Sequence, residues 1–176
     1  MSGGEKVRNI PRKRLLISGF VLAFFLICIW FSPKLLFVNF TDSIPCGLYL
    51  RVPLENIQTG DIVAYMPSDE VVAFMRDRGW LKEGREPIPF LKYVGGIQGD
   101  SYAVIGHVFF INGEEIGDVL CNDSRGQALP YYQGAFIIHK GEFLPLSSDS
   151  KGFDGRYTGC VPLERVIAKA IPILVW

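Results

Sequence analysis

The 176 residues predict a mainly β domain behind one N-terminal transmembrane helix. Two observations carry this expectation. A run without charged residues, apolar apart from Ser18 and Gly19, extends from Leu15 to Phe31 behind a basic tail, and the rest of the chain is mostly short β-prone runs separated by turn residues. The length suits one domain plus an anchor.

The tail carries Lys6, Arg8, Arg12, Lys13 and Arg14 against only Glu5. These seventeen residues at about 1.5 Å each give roughly 25 Å of helix, slightly short of a hydrocarbon core of roughly 30 Å. Leu35 to Val38 can extend the apolar length beyond the Ser32-Pro33-Lys34 break. A cleavable secretory signal would have a shorter apolar stretch followed by small residues, whereas this one ends Ile29-Trp30-Phe31-Ser32-Pro33, so an uncleaved signal anchor is expected. The positive-inside rule then leaves the N-terminus in the cytoplasm and everything after about Phe40 outside it.

Beyond the anchor, Gly47 to Val52, Asp61 to Met66 and Leu91 to Val94 read as strands. Ser68-Asp69-Glu70 can cap a short helix in which Val71, Val72, Phe74, Met75 and Trp80 roughly follow helical spacing, ending near Gly79. Lys82 to Pro89 is polar and proline-bearing, hence a loop. Val108 to Ile111 and Glu114 to Ile116 flank Asn112-Gly113, a pair that readily takes the positive φ angles of a tight hairpin turn. Cys121 to Gly134 is polar and small, as in a surface loop or inserted lobe. Glu142 to Leu146 reads as a strand, and Arg165 to Val175 as a final one, apolar at nearly every position and therefore buried on both faces or near lipid.

The formal charge is zero; without the tail, thirteen bases face seventeen acids. No basic patch, aromatic-basic interleaving or nucleic-acid motif is present, so no nucleic-acid partner is expected. Cys28 lies in the apolar run. Cys46, Cys121 and Cys160 lie outside it with no Cys-x-x-Cys spacing for zinc or redox work. At most one disulfide can form among the three, with Cys121–Cys160 the favoured pair and an all-reduced state the alternative.

Two segments hold residues suited to chemistry. Ser43-Ile44-Pro45-Cys46-Gly47-Leu48-Tyr49 follows the anchor, and Lys92 lies between Phe90-Leu91 and Tyr93-Val94. A serine hydroxyl is a poor nucleophile at neutral pH and needs a base within hydrogen-bond reach. His107 and His139 read as half-exposed strand residues. Lys92 is the better base, because apolar neighbours disfavour its charged form and lower its pKa. A strand lysine pointing into solvent is the alternative, which local composition alone favours.

Lys92-Tyr93-Val94-Gly95-Gly96-Ile97-Gln98-Gly99-Asp100 resembles, position by position, the Lys-x-Val-x-Gly-x-x-Gly-Asp segment of the signal peptidases. Ser43, Pro45, Gly47 and Tyr49 reproduce the Ser-x-Pro-x-Gly-x-Tyr of their conjugative-transfer, TraF-type branch. A third stretch, Ser148 to Gly159, resembles the box Gly-Asp-Asn-Arg...Ser-x-Asp-Ser-Arg-Tyr-x-Gly at Asp154, Arg156, Tyr157 and Gly159. Its first half departs, being reduced to Ser148-Asp149 with a shorter spacing, so which serine supports the lysine stays open. Smaller matches are Thr59-Gly60-Asp61-Ile62-Val63 and Gly159-Cys160-Val161-Pro162 with Val166 to Ala170.

The resemblance implies a signal-peptidase-like (LexA-like) β domain and a serine endopeptidase with a Ser-Lys dyad, needing no cofactor or metal. Ser43 would attack the scissile carbonyl and Lys92 would take its proton. Thr41, two residues before the nucleophile, would add an oxyanion donor to the Ser43 N–H. Pro45 and Gly47 would shape the turn. Asp154 and Arg156 would form a charge pair orienting the last box near Lys92, or a surface pair of little energetic value. The implied layout is a cytoplasmic tail (1–14), a transmembrane signal anchor (15–38) and a periplasmic peptidase domain (39–176) at the bacterial inner membrane. The expected partners are translocated precursor proteins such as a pilin subunit, and a conjugative secretion apparatus. A general signal peptidase and a noncatalytic secretion-channel scaffold are the rival readings; a reactive-thiol protein built on Cys46 is more remote, since no resolving partner lies nearby in sequence.

Overall fold

The computed structural model describes residues 35–176 and, before them, residues 13, 17, 19–23 and 30. The chain divides into two units, residues 1–36 and 37–176. The basic tail, Cys28 and most of the expected anchor lie outside the described residues. Among the described residues no helix is long and apolar enough to cross a membrane.

From residue 36 onward the protein is mainly β. Leu36–Asn39, expected at the far end of the anchor, is instead the first strand, β1, and lies beside β2 (Gly47–Val52). The apolar Leu36-Phe37-Val38 run serves a sheet edge there. β3 (Ile62–Tyr65) is followed by the expected helix α1 (Asp69–Asp77), whose N-cap Ser68 accepts a hydrogen bond from the Val71 N–H. Then come β4 (Phe90–Ile97), β5 (Ser101–Ile105), β6 (Val108–Ile111), β7 (Glu114–Asp118), β8 (Gly134–Ile137) and β9 (Glu142–Leu146). A one-turn helix α2 (Gly155–Thr158), β10 (Val161–Pro162) and β11 (Val166–Val175) complete the chain.

Seven strands form one sheet in the order β1-β2-β11-β3-β4-β9-β10, and four form another in the order β7-β6-β5-β8. The β6–β7 turn is the predicted Asn112-Gly113, with φ of 51° and 81°, the mirror-image turn that matches strand twist. The Cys121–Gly134 segment is a surface loop closed by a bridge between Asn122 and Ala128.

Of the two expectations for the last strand, burial on both faces or a place near lipid, the first does not hold. Ala168 and Ala170 are buried, but Ile171, Ile173, Leu174, Val175 and Trp176 are exposed. The reason is register: β11 pairs with β3 only as far as Lys169–Val63, whereas its pairing with β2 runs on to Val175–Gly47. One buried cluster, Ile44, Tyr49 and Ala170 with Phe37, Ile62, Leu91 and Tyr93 packed on it, lies beneath the Ser43 loop and ties it to β2, β4 and β11. Ile44 is fully buried, an effect favourable by about 1.5–3 kcal/mol, and this anchors the loop next to its serine.

Candidate active site

Lys92 lies in the middle of β4, between β3 and β9. Its partner across β3 is Val63, and the pairing of Tyr93 with Leu146 brings the next residue of the β9 chain, Ser147, opposite Lys92. The side chain points into the protein and is 4% exposed, so the solvent-facing alternative does not hold. The Lys92 Nζ lies 2.8 Å from the Ser43 Oγ and 2.5 Å from the Ser147 Oγ. Burial pushes the Lys92 amine down to about 8; Asp154 and Asp149 raise it and Arg156 lowers it, each by less than burial does. An amine with that pKa is neutral in about a tenth of molecules at pH 7 and is therefore available as a base.

Ser43 is held from two sides. The Ser148 N–H donates to the Ser43 carbonyl at 2.9 Å, and the Ser148 hydroxyl reaches the carbonyls of Asp42 and Ser43. On the other side is Asn39, buried at the end of β1. Its Nδ2 donates to the carbonyls of Thr41, Ile44 and Pro45, while its Oδ1 accepts from the Thr41 N–H and hydroxyl. One carboxamide thus closes the loop around the serine. The Tyr49 hydroxyl adds a bond to the Pro45 carbonyl at 2.6 Å.

Thr41 is near the site, but its hydroxyl donates to Asn39 at 2.8 Å. Gly47, expected to serve a turn, has a different role: a Cβ there would overlap the Leu174 carbonyl oxygen, so its lack of a side chain allows β11 to lie close against β2.

Asp154 and Arg156 form a buried pair 2.9 Å apart, with side chains 0% and 3% exposed, and so are no surface pair. Asp154 accepts the Ser147 N–H at 2.7 Å. Arg156 donates to the carbonyls of Ser147, Asp149 and Ser150. Every one of these bonds to residues 147–150 is made to the backbone, so the pair fixes the chain that carries Ser147 without consuming its hydroxyl. Replacing such a pair as a unit can be cheap, but removing one partner strands a buried charge.

The smaller motif matches also meet in space, since Asp61 pairs with Lys169 at 2.7 Å. Cys46, Cys121 and Cys160 are free thiols, which corrects the favoured Cys121–Cys160 disulfide. Cys121 is exposed beside His107, whereas burial pushes the Cys160 thiol up to about 11 next to Tyr102. His107 bonds Cys121 and Tyr131, and the His139 N–H bonds Glu142. Among the described residues no group of three His, Cys, Asp or Glu could hold a metal ion.

Two contributors were not legible as site residues. Ser147 stands one position before the third box and is identified only by strand register. Asn39 falls within an apolar-rich stretch, and its only local signal is the tendency of asparagine to bond nearby backbone.

The family profile described as signal peptidase, peptidase S26, matches residues 12–176. The chain belongs to the peptidase S26 family, in its TraF-type branch. The plasmid transfer protein TraF of Escherichia coli is 32% identical over 149 residues, covering 79% of this chain and 82% of that protein. A conjugal transfer protein TraF of Agrobacterium fabrum is 29% identical over 151 residues, with the same coverage. Among solved structures, a signal peptidase I from Enterococcus faecalis aligns with 65% of this chain and 97% of its own, at 16% identity and a TM-score of 0.37. The peptidase S26 profile spans all three segments that meet at Lys92.

Proposed function

We propose that this protein is a membrane-anchored serine endopeptidase that uses Ser43 and Lys92 to cleave translocated precursor proteins in conjugative transfer. The observation that carries the reading is the Lys92 amine, buried, lowered to about 8 and 2.8 Å from the Ser43 hydroxyl. Membership in peptidase S26 and the TraF relatives support the class of reaction and its setting.

Neutral Lys92 takes the Ser43 proton as the Oγ attacks the scissile carbonyl. The protonated amine then gives that proton to the leaving nitrogen, leaving an acyl-serine. Lys92 next activates the water, or the substrate amine, that resolves the ester. The Ser43 N–H faces the developing oxyanion. Thr41 joins it when its hydroxyl turns from Asn39. Ser147 holds the Lys92 amine in line throughout. The exposed apolar residues from Ile171 to Trp176, with Phe40 beside Trp176, are suited to lipid, in keeping with a periplasmic domain at the inner membrane and the apolar run from Leu15 to Phe31, which ends before β1, as its anchor.

N-terminal sequencing of membrane and periplasmic proteins in cells carrying Ser43→Ala tests the reading. Accumulation of one or a few precursors, foremost a pilin or secretion-apparatus subunit, is the expected result. Broad retention of signal peptides would mark a general signal peptidase instead. No changed N-terminus would favour the scaffold.

A further inference from the structure

Positions 147 and 152 share space for a single side chain. A Cβ built on Gly152 would overlap both the Cβ and the Oγ of Ser147, and would also come within 3.1 Å of the Asp149 carbonyl oxygen. Gly152 is not among the glycines with positive φ, so what excludes a side chain there is this overlap first and the lesser crowding against the Asp149 carbonyl second. The space matters because the Ser147 hydroxyl in it is one of the two oxygens touching the Lys92 amine. The peptide groups around it are fixed independently: Asp154 holds the Ser147 N–H, Arg156 holds the Ser147 and Asp149 carbonyls, and the Gly152 N–H bonds the Asp149 carbonyl. Both backbones therefore stay in place whichever residue fills the space.

We propose that Gly152 is a positioning residue for Lys92, kept bare so that the hydroxyl of residue 147 can occupy the shared space, and that a hydroxyl delivered there from position 152 would serve equally. The proposal rests on the dyad reading above. It also accounts for the departure in the third box: in the resembled pattern a serine stands two residues before the aspartate, where this chain has Gly152 before Asp154. Here the hydroxyl enters from the end of β9.

The test uses the full chain with Gly152→Ala, Ser147→Gly, the double variant Ser147→Gly/Gly152→Ala and the exchange Ser147→Gly/Gly152→Ser. Cleavage of a membrane-tethered peptide with an Ala-x-Ala site gives kcat and KM, thermal unfolding gives Tm, and NMR of 13C-labelled lysine follows the Lys92 titration. Gly152→Ala and Ser147→Gly should each lower kcat at least about tenfold with little change in KM, and each should move the Lys92 midpoint. Ser147→Gly/Gly152→Ala should recover the Tm lost in Gly152→Ala while staying slow. The exchange should recover both kcat and the wild-type midpoint.

A fully active Gly152→Ala overturns the proposal. So does a folded exchange no better than Ser147→Gly, or an exchange that fails to fold while Ser147→Gly/Gly152→Ala folds. A wild-type chain that cleaves nothing would sink the dyad reading instead, and the lysine midpoints across the four variants would still decide this proposal.

Discussion

The four-stranded sheet and the cluster around Lys92 are built on opposite plans. In the sheet, β5, β6 and β7 follow one another through tight turns, so that except for β8, which returns to pair with β5, neighbours in space are neighbours in sequence. At Lys92 three distant segments meet, and side chains bonded to backbone hold them: Asn39 to the serine loop, Asp154 and Arg156 to the chain after β9. The first plan resists damage because each turn is replaceable. The second concentrates its stability in a few buried polar groups, each costly to leave unpaired.

The sharpest contrast comes from the reacting groups. On the proposed dyad, Ser43→Ala and Lys92→Ala should each abolish cleavage while circular dichroism stays normal, since each would remove half of one proton-transfer unit. Lys92→Arg should be nearly as inactive, because arginine keeps its proton. Near-normal cleavage by purified Ser43→Ala would remove the chemical meaning of the cluster.

Asp154→Ala should come next, leaving the Arg156 guanidinium buried and unpaired. Denaturant unfolding should show a loss of about 3–5 kcal/mol, with cleavage lost as the Ser147 segment loosens. A change under about 1 kcal/mol would mean that the cluster is no more demanding than the sheet.

As the proposed base, Lys92 would work only when neutral, and burial pushes its amine down to about 8. The rate should therefore rise with pH, by roughly fiftyfold between pH 6 and pH 8, and level off above that. A profile flat across this range would show that Lys92 is not the titrating base.

Asn39→Ala should cost about 1–3 kcal/mol, because three carbonyls lose their donor, and should lower kcat as the serine loop loosens. Thr41→Val should lower turnover about a hundredfold if its hydroxyl serves the oxyanion, whereas Thr41→Ser should keep most of it. If Thr41→Val changes only stability, its hydroxyl serves Asn39 alone. The smallest effect belongs to the sheet. Gly113→Ala meets open space but a φ of 81°, so it should cost about 1 kcal/mol in thermal unfolding and leave cleavage untouched.

The same contrast explains what the sequence made legible. Asn112-Gly113, the Ser68 cap and the strand at Gly47–Val52 are local signals, and the structure carries them out. Lys92 was legible only through its nine-residue motif, since its flanking residues alone favour a strand lysine in solvent. Ser147 and Asn39 act through register and loop closure, which no local pattern encodes. Leu36–Asn39 was hidden because an apolar run reads alike at the end of an anchor and at a sheet edge. Only pairing with β2 decides between them.

The Lys92 amine touches hydroxyls 49 and 55 residues away along the chain. Bringing such segments together carries an entropy cost that is recovered only when the sheets close, so no fragment and no half-folded copy holds both hydroxyls against the lysine. If the proposed dyad is right, proteolytic competence would be an all-or-none report on completed folding. Under the proposed reading, a nascent or damaged copy would therefore be unable to cut its neighbours.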